Sequence, residues 1–343
     1  MGAEIAKIAS TKLIPGQGPR SKSPVFVLGC GRSGTTLLYH MLLSSGNFVV
    51  YRGESNVINL LEPRFGDLSK TRNKERLLHA WYQSRLYTLT GLDREQIKEK
   101  VMAECRNGGD FLRIVMEMMG QQQGVQRWAE CTPEHLLYLE RIKETIPDAL
   151  IIHIIRDGRD VALSLEKGGW IRPFGWHQTQ RLMVAGLYWE WIVSKGRESG
   201  RKLGEDYYEV HFEDLVLEPR ETLARLGNFI NHDLDYDRIR RVGIGSVSEP
   251  NTSFRSHTAE AFNPVGRWRD KFPPGELRTF ECVTRKTLEV LGYSTAPKDW
   301  HPIETSKLKS IRMLYRTCFN SKLWVKANTP LGRFLVTKNL QWV

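Results

Sequence analysis

A short apolar run that passes into a helix through small residues constrains this chain more than any other feature. Residues 24–29 are predicted to form a buried strand, followed by the glycine-rich turn CGRSGTT and an apolar helix at 37–43. Such a turn presents backbone N–H groups and the positive end of a helix dipole to an anion. The pattern therefore predicts an α/β fold with a loop that binds phosphate or sulfate groups.

The turn departs from the loop of nucleotide triphosphatases at one position. Gly29 and Gly34 have the Walker spacing, but Thr35 stands where that motif carries its lysine. Thr36 keeps the hydroxyl, and the positive charge comes instead from Arg32 within the turn. The loop is therefore expected to hold phosphate without placing a lysine between two phosphates. A small-molecule kinase remains the alternative.

A second strand–turn–helix unit follows in ALIIHIIRDGRDVALSL. The apolar run is typical of a parallel strand that is covered on both faces. Arg156 ends this strand at the edge where open α/β sheets bind ligands, and Ser164 lies eight residues later, about one turn into the expected helix. The two side chains can hold one anion if the turn folds back. Alternatively, Arg156 or Arg159 only pairs with Asp157 or Asp160.

The remaining segments alternate between strand and helix patterns. Strands are predicted at 48–51 and 206–212, and helices at 181–198, 218–230 and 276–291. The segment 55–127 is expected to be mostly helical. This alternation predicts an open parallel α/β sheet.

Composition limits the class of partner and the compartment. Lys and Arg number 50 against 39 Asp and Glu, a formal net charge of +11, which favours an anionic ligand. The five cysteines have no metal-binding spacing, which indicates free thiols in a reducing compartment and a cytoplasmic protein. There is no apolar stretch of the ~20 residues that a membrane span needs, and no signal-peptide pattern. Nucleic-acid binding is not expected, because no helix-turn-helix or zinc pattern is present.

Three regions are predicted along the chain. Residues 1–23 form a flexible polar lead-in, residues 24–295 the main domain, and residues 296–343 a basic extension with interleaved aromatic residues. The extension can lie against an anionic membrane surface as a peripheral contact. Alternatively, it is a helix that packs on the domain with its basic side in solvent.

Four motifs together resemble one enzyme family. GCGRSGTTLL, HIIRDGRDVALSL, YYEVHFEDLVLEPRETLARLGNFI and GRWRDKF are similar to motifs of the sulfotransferases that use 3′-phosphoadenosine 5′-phosphosulfate (PAPS). The bacterial and tyrosylprotein branches are the nearer likeness, because Arg32 replaces the loop lysine of the cytosolic enzymes. The resemblance implies a P-loop-type, three-layer α/β/α fold with a doubly wound parallel sheet. It also implies PAPS as the sulfate donor and no metal.

The resemblance also implies which residues bind the donor. The 5′-phosphosulfate would be held by Arg32, Ser33, Gly34, Thr35 and Thr36. The 3′-phosphate would be held by Arg156 and Ser164, with Phe212 near the adenine. A later loop that contains Arg255, Gly266 and Arg267 would close over the nucleotide.

The catalytic residues are expected to include Arg32 and a carboxylate base. Glu54 is the candidate base, although the acid of the tyrosylprotein branch aligns one residue later, at Ser55. His135 is a lesser candidate and is expected to be structural. Cys131 occupies the place of a family lysine that contacts the transferring sulfate, so a catalytically weakened nucleotide-binding homologue is a further alternative.

The acceptor is predicted only as a class. A hydroxyl or amine of a carbohydrate, a glycolipid or another small molecule is expected. Trp170, Phe174 and Trp176 are candidates for stacking on a sugar or aromatic ring, although core packing explains them equally well.

Overall fold

Four parallel strands lie side by side in the computed structural model, which describes residues 19–247, 263–296, 302–329 and 331. They are β1 (Val25–Gly29), β2 (Ala129–Glu130), β3 (Leu150–Ile155) and β4 (Tyr207–His211), in the order β2–β1–β3–β4. Val25 pairs with Leu150 on one side and with Ala129 on the other. The strand that follows β1 in the chain, β2, lies on one side of the central pair β1 and β3, and the strand that follows β3, β4, lies on the other side. The carboxyl ends of β1 and β3 therefore flank the crevice where such sheets bind ligands.

Helices connect and cover the strands. They are α1 (Thr35–Ser44), α2 (Glu62–Phe65), α3 (Thr71–Tyr82), α4 (Arg85–Thr88), α5 (Arg94–Glu104), α6 (Gly108–Gln123), α7 (Leu139–Thr145), α8 (Gly158–Lys167), α9 (Arg181–Gly200), α10 (Phe212–Leu217), α11 (Pro219–Ile230), α12 (Tyr236–Val242), α13 (Trp268–Lys271), α14 (Pro274–Val290) and α15 (Pro302–Asn328). The predicted helical character of 55–127 is confirmed.

The two faces of the sheet belong to separate hydrophobic clusters. One cluster packs α1, α11 and α12 against the sheet, with Leu42, Leu226 and Ile239 fully buried. The other packs α6, α8, α9 and α14 against the opposite face, with Trp189 and Phe280 fully buried. The predicted three-layer, doubly wound α/β/α fold is therefore confirmed.

The strand predicted at 48–51 is wrong. Phe48 makes only an isolated bridge to Arg127, and the chain then leaves the sheet. The side chain of Gln123 bonds both backbone groups of Val50, through Oε1 at 2.7 Å and Nε2 at 3.2 Å. These groups are therefore satisfied without a neighbouring strand, and the sheet edge is formed by β2 instead.

Two smaller boundaries also differ from the prediction. The fourth strand ends at His211, so Phe212 is the first residue of α10 rather than the last of a strand. Ser164 is the seventh residue of α8, nearly two turns from its start. A helix rises about 1.5 Å per residue, so Ser164 lies farther along the axis of α8 from its first residue than expected.

The C-terminal helix α15 packs on α9. Tyr315 is buried against it, Arg312 forms an ion pair with Glu190 at 2.7 Å, and the indole of Trp191 donates to Asn320 at 2.9 Å. This matches the packed alternative for the extension and gives no support to membrane contact. Across the described ranges, no helix has both the length and the apolar character to cross a membrane.

Candidate active site

The turn after β1 is built for an anion. Arg32 and Gly34 adopt left-handed backbone angles, with φ of 73° and 97°, which folds the turn back on itself. Such turns direct successive N–H groups into one concavity. The N-cap residue of α1 is Gly34, which has no side chain to cap the helix, and the first helical residues are Thr35 and Thr36. The buried Oγ of Ser33 has no hydrogen-bond partner within the described part of the chain.

Phe212 supports this turn from below. Its ring lies so close to Gly34 that a Cβ atom there would come within 2.3 Å of it. The ring is 1% exposed, and the guanidinium carbon of Arg156 lies 4.3 Å from its centroid. Phe212 thus lies between Gly34 and Arg156. Its predicted contact with adenine stays a prediction.

The two predicted anion-binding units meet directly. The Nε of Arg32 donates to Oγ of Ser164 at 3.0 Å, and Arg156 donates to the backbone carbonyl of Arg32 at 3.2 Å. Arg32 and Arg156 therefore face one crevice between β1 and β3.

Burial of Arg156 makes its charge costly without a partner. The side chain is 2% exposed, and burial lowers its pKa to about 10, although Asp160 raises it. Arg156 also donates to the carbonyl of Pro264, and its own carbonyl accepts from the Trp189 indole at 3.1 Å. Trp189 packs directly on Gly158 at the start of α8, which fixes the turn that carries Arg156.

Asp160 joins the later loop to this site. Its two carboxylate oxygens accept the N–H groups of Gly266 and Trp268 at 2.8 and 2.9 Å. Burial lowers the pKa of the Arg32 guanidinium, and the positive charge of Arg267, which lies between Gly266 and Trp268 in the chain, lowers it further. Sequence reasoning treated Asp160 only as an ion-pair partner. Its position four residues after Arg156, in the first turn of the helix that follows, was the available signal.

The ion-pair alternative applies to Arg159. Its guanidinium binds Asp157 and Glu281, each at 2.8 Å, and stacks on Trp268 with 3.7 Å to the ring centroid. Arg156 also forms an ion pair, with Asp160 at 4.0 Å, in addition to the hydrogen bonds described above. Arg255 lies outside the described residues.

The chain matches a known family over most of this region. A family model described as the Sulfotransferase family covers residues 24–236. The chain belongs to the sulfotransferase family.

Solved structures agree on the fold of this sulfotransferase. The sulfotransferase domain of the olefin synthase from Synechococcus PCC 7002 matches with a TM-score of 0.54 and 19% identity, over 80% of this chain and 96% of that one. The sulfotransferase domain from the curacin biosynthetic pathway matches with a TM-score of 0.51 and 14% identity, over 80% and 98%. None of the curated proteins compared with the chain matches it significantly.

The candidate base of the sulfotransferase lies beside a neutral thiol. Burial raises the pKa of Cys131 well above its usual value, and the nearby carboxylates of Glu130 and Glu54 raise it further. Cys131 therefore supplies no charge of either sign at neutral pH. Glu54 is half-buried at the start of the segment that leads into the α2 region.

A buried polar network holds the segments that carry Glu54 and Cys131. The carboxylate of Glu130 accepts hydrogen bonds from the Ser55 hydroxyl at 2.8 Å and the Thr132 N–H at 2.9 Å. It also contacts Nδ1 of His135 at 3.0 Å, and Nε2 of His135 accepts from the N–H of Ile58. His135 is thus satisfied on both nitrogens, as a structural histidine should be.

Proposed function

We propose that this sulfotransferase transfers a sulfuryl group from PAPS to a hydroxyl or amine of a small acceptor, such as a carbohydrate or glycolipid. The observation that carries the proposal is the direct contact between the two anion-binding units. Arg32 bonds Ser164, and Arg156 bonds the carbonyl of Arg32. A donor with a 5′-phosphosulfate and a 3′-phosphate needs two adjacent cationic pockets of this kind.

The unpaired groups of the site suit this donor. The Ser33 hydroxyl and the uncapped first turn of α1 offer donors to the 5′-phosphosulfate. Arg156 and Ser164 would hold the 3′-phosphate, with the Nε of Arg156 buried and without a hydrogen-bond partner inside the described ranges. Arg267 would add positive charge from the loop that Asp160 anchors.

The protein's own groups would act mainly by electrostatics. When bound, PAPS supplies an activated sulfuryl group. Arg32 and the turn N–H groups are placed to neutralise negative charge that grows on the phosphate side of the breaking bond. Glu54 would accept the proton of the acceptor hydroxyl, and its partial burial keeps bulk water from competing for that proton.

The buried, neutral thiol of Cys131 favours a second candidate function. Because it cannot replace a lysine, a nucleotide-binding protein with weak turnover is the alternative. A kinase is disfavoured by Thr35 at the Walker lysine position. Release of 3′-phosphoadenosine 5′-phosphate (PAP) from PAPS in the presence of acceptors separates the enzyme from the binding protein.

A thermal-shift titration tests the donor. PAP is expected to raise the melting temperature, whereas ATP with magnesium is not. Stabilisation by ATP–magnesium alone would contradict the proposal and favour the kinase. Arg156→Ala, which removes one pocket, should abolish the response to PAP. The exposed Arg72→Ala on α3 should leave it unchanged.

A further inference from the structure

Trp170 is an exposed indole beside the donor turn. It lies in the segment between α8 and α9, and its side chain is 61% exposed. A Cβ atom on Gly31 would lie 3.7 Å from its ring, and the guanidinium carbon of Arg32 lies 5.7 Å from its ring centroid. The indole is therefore not part of the core, and its contact with Arg32 places its open surface next to the donor turn.

Two glycines seat this indole against the backbone. Gly31 belongs to the donor turn, and Gly168 ends α8, where a Cβ atom would come within 2.6 Å of the ring. Position 168 must therefore stay without a side chain for the indole to lie where it does, whereas a Cβ atom on Gly31 would make an ordinary van der Waals contact with the ring. The ring is held on its inner side, while its outer surface is open to solvent next to the cationic crevice.

The C-terminal helix holds the segment that carries Trp170. Tyr315 of α15 is 3% exposed, and its ring packs 5.1 Å from that of Phe174. Its hydroxyl accepts the N–H of Phe174 at 3.3 Å and lies 3.0 Å from Nδ1 of His177. Phe174 in turn stacks on Trp176 at 5.0 Å. The helix thus fixes the end of the segment farther from the donor turn.

We propose that Trp170 is an acceptor subsite, a platform on which the ring of a hydroxylated acceptor stacks, and that Tyr315 positions this platform. The inference rests on the proposed function, because the platform adjoins Arg32. The shared ligand chemistry is a ring with an apolar face and a hydroxyl group, found in both aryl alcohols and pyranosides. Trp170 contacts the acceptor, whereas Tyr315 acts only through the segment 170–177.

Ligand-observed NMR titrations test the platform directly, without turnover. The probes are β-naphthol and methyl β-glucoside, with glycerol as a polyol without a ring. We expect at least one ring probe to bind, and Trp170→Ala to raise its Kd about 3- to 10-fold, the range of aromatic stacking contributions. Trp170→Phe should recover most of the affinity. A response to naphthol alone identifies an aromatic acceptor, and one to the glucoside alone a sugar.

A matched variant controls for loss of any exposed indole. Trp324 on α15 has the same exposure, 61%, and lies outside the proposed site. Trp324→Ala should leave the Kd of the ring probe unchanged. Equal effects of Trp170→Ala and Trp324→Ala, or no binding of either ring probe to the folded wild-type protein, would overturn the inference.

Tyr315→Phe tests the positioning role. It removes the hydroxyl but keeps the ring packing, so we expect a rise of about 2- to 3-fold in the Kd of the ring probe, with the Trp170→Ala/Tyr315→Phe double variant no weaker than Trp170→Ala. Full additivity of the two substitutions would contradict the positioning role.

The PAP response in the thermal-shift assay keeps the two proposals separate. Tyr315→Phe should not change it, because Tyr315 lies away from the donor turn. A wild-type protein that binds ring probes through Trp170 but ignores PAP contradicts the donor proposal alone. One that responds to PAP but binds no ring probe contradicts the platform alone.

Discussion

The turns after β1 and β3 follow the same plan, but only in the second does a side chain of the turn cap the helix that follows. After β3, Asp157 caps α8 by accepting the N–H of Arg159, and Arg156 donates to the carbonyl of Pro264. After β1, no side chain caps α1, and the buried hydroxyl of Ser33 lacks a partner in the described structure. The second turn is thus more fully hydrogen-bonded than the first, although Nε of Arg156 also lacks a partner within the described residues.

Charge follows the same division. The turn after β3 carries Asp157 and Asp160 beside its arginines, whereas CGRSGTT contains no acid. Under the proposed function, we therefore expect the second turn to orient the ligand and the first to act on the reacting group.

The largest expected effect comes from Arg32→Ala, which tests whether the turn after β1 contributes to the rate of sulfuryl transfer. Loss of one such donor typically lowers the rate about 10²- to 10³-fold. We expect this loss in kcat, measured as PAP formation from saturating PAPS. Arg72→Ala, an exposed change on α3, is the control. Near-normal turnover of Arg32→Ala would break the comparison.

Gly34→Ala tests whether the stability of the turn after β1 requires glycine at position 34. Residue 34 has φ of 97°, and its new methyl group would overlap the Phe212 ring. We expect the free energy of unfolding to fall by roughly 2–4 kcal/mol, from backbone strain and overpacking together. Urea denaturation measures it.

Gly91→Ala is the matched control for that change. Gly91 also has a positive φ, 64°, but a Cβ atom there meets nothing within 4 Å. It should therefore show only the backbone term, about 1–2 kcal/mol. Equal losses in the two variants would mean that Phe212 adds nothing to the requirement for glycine at position 34.

Asp160→Asn tests the turn after β3 and its attachment to the loop that contains Gly266 and Trp268. An amide cannot accept the N–H groups of both Gly266 and Trp268 as a carboxylate does, and the charge of Arg156 loses its partner. We expect a loss of roughly 1–3 kcal/mol in unfolding free energy and a weaker response to PAP. The exposed Glu221→Gln should change neither. A variant with unchanged PAP affinity would show that the loop is held by other contacts.

The smallest expected effect is the change in unfolding free energy per pH unit that comes from β3, the strand before Arg156. Burial lowers the pKa of His153 on β3 from 6.5 to about 3, so the unfolded chain binds a proton that the folded protein refuses. The free energy of unfolding should therefore fall as pH drops from 6.5 towards 3, by up to about 1.4 kcal/mol per pH unit. His153→Gln should flatten this slope in urea titrations. An unchanged slope would assign the acid sensitivity to other groups.

Elements with continuous apolar patterns could be predicted from the sequence. The strands β1 and β3 and the helices α9 and α14 fall close to their predicted ranges, because their patterns extend over many residues. β2 has only two residues and leaves no pattern to detect. The strand expected at 48–51 failed because Gln123, far along the chain, satisfies the backbone of Val50.

The candidate site shows the same division between local and distant information. Arg32, Arg156 and Ser164 belong to local motifs, and the structure brings all three together. Asp160, in contrast, bonds a loop more than a hundred residues later in the chain. The contact between Tyr315 and Phe174 also joins residues that are far apart in the sequence. Single-sequence patterns do not report contacts of that range.

The contact between Gly34 and Phe212 also restricts how this protein can diverge. Position 34 can accept a larger residue only after the ring at position 212 has shrunk, since the two compete for the same volume. A smaller side chain at 212 would in turn remove the aromatic ring against which the guanidinium of Arg156 packs. Substitutions at these three sites should therefore appear together in descendants of this chain, in a fixed order of events.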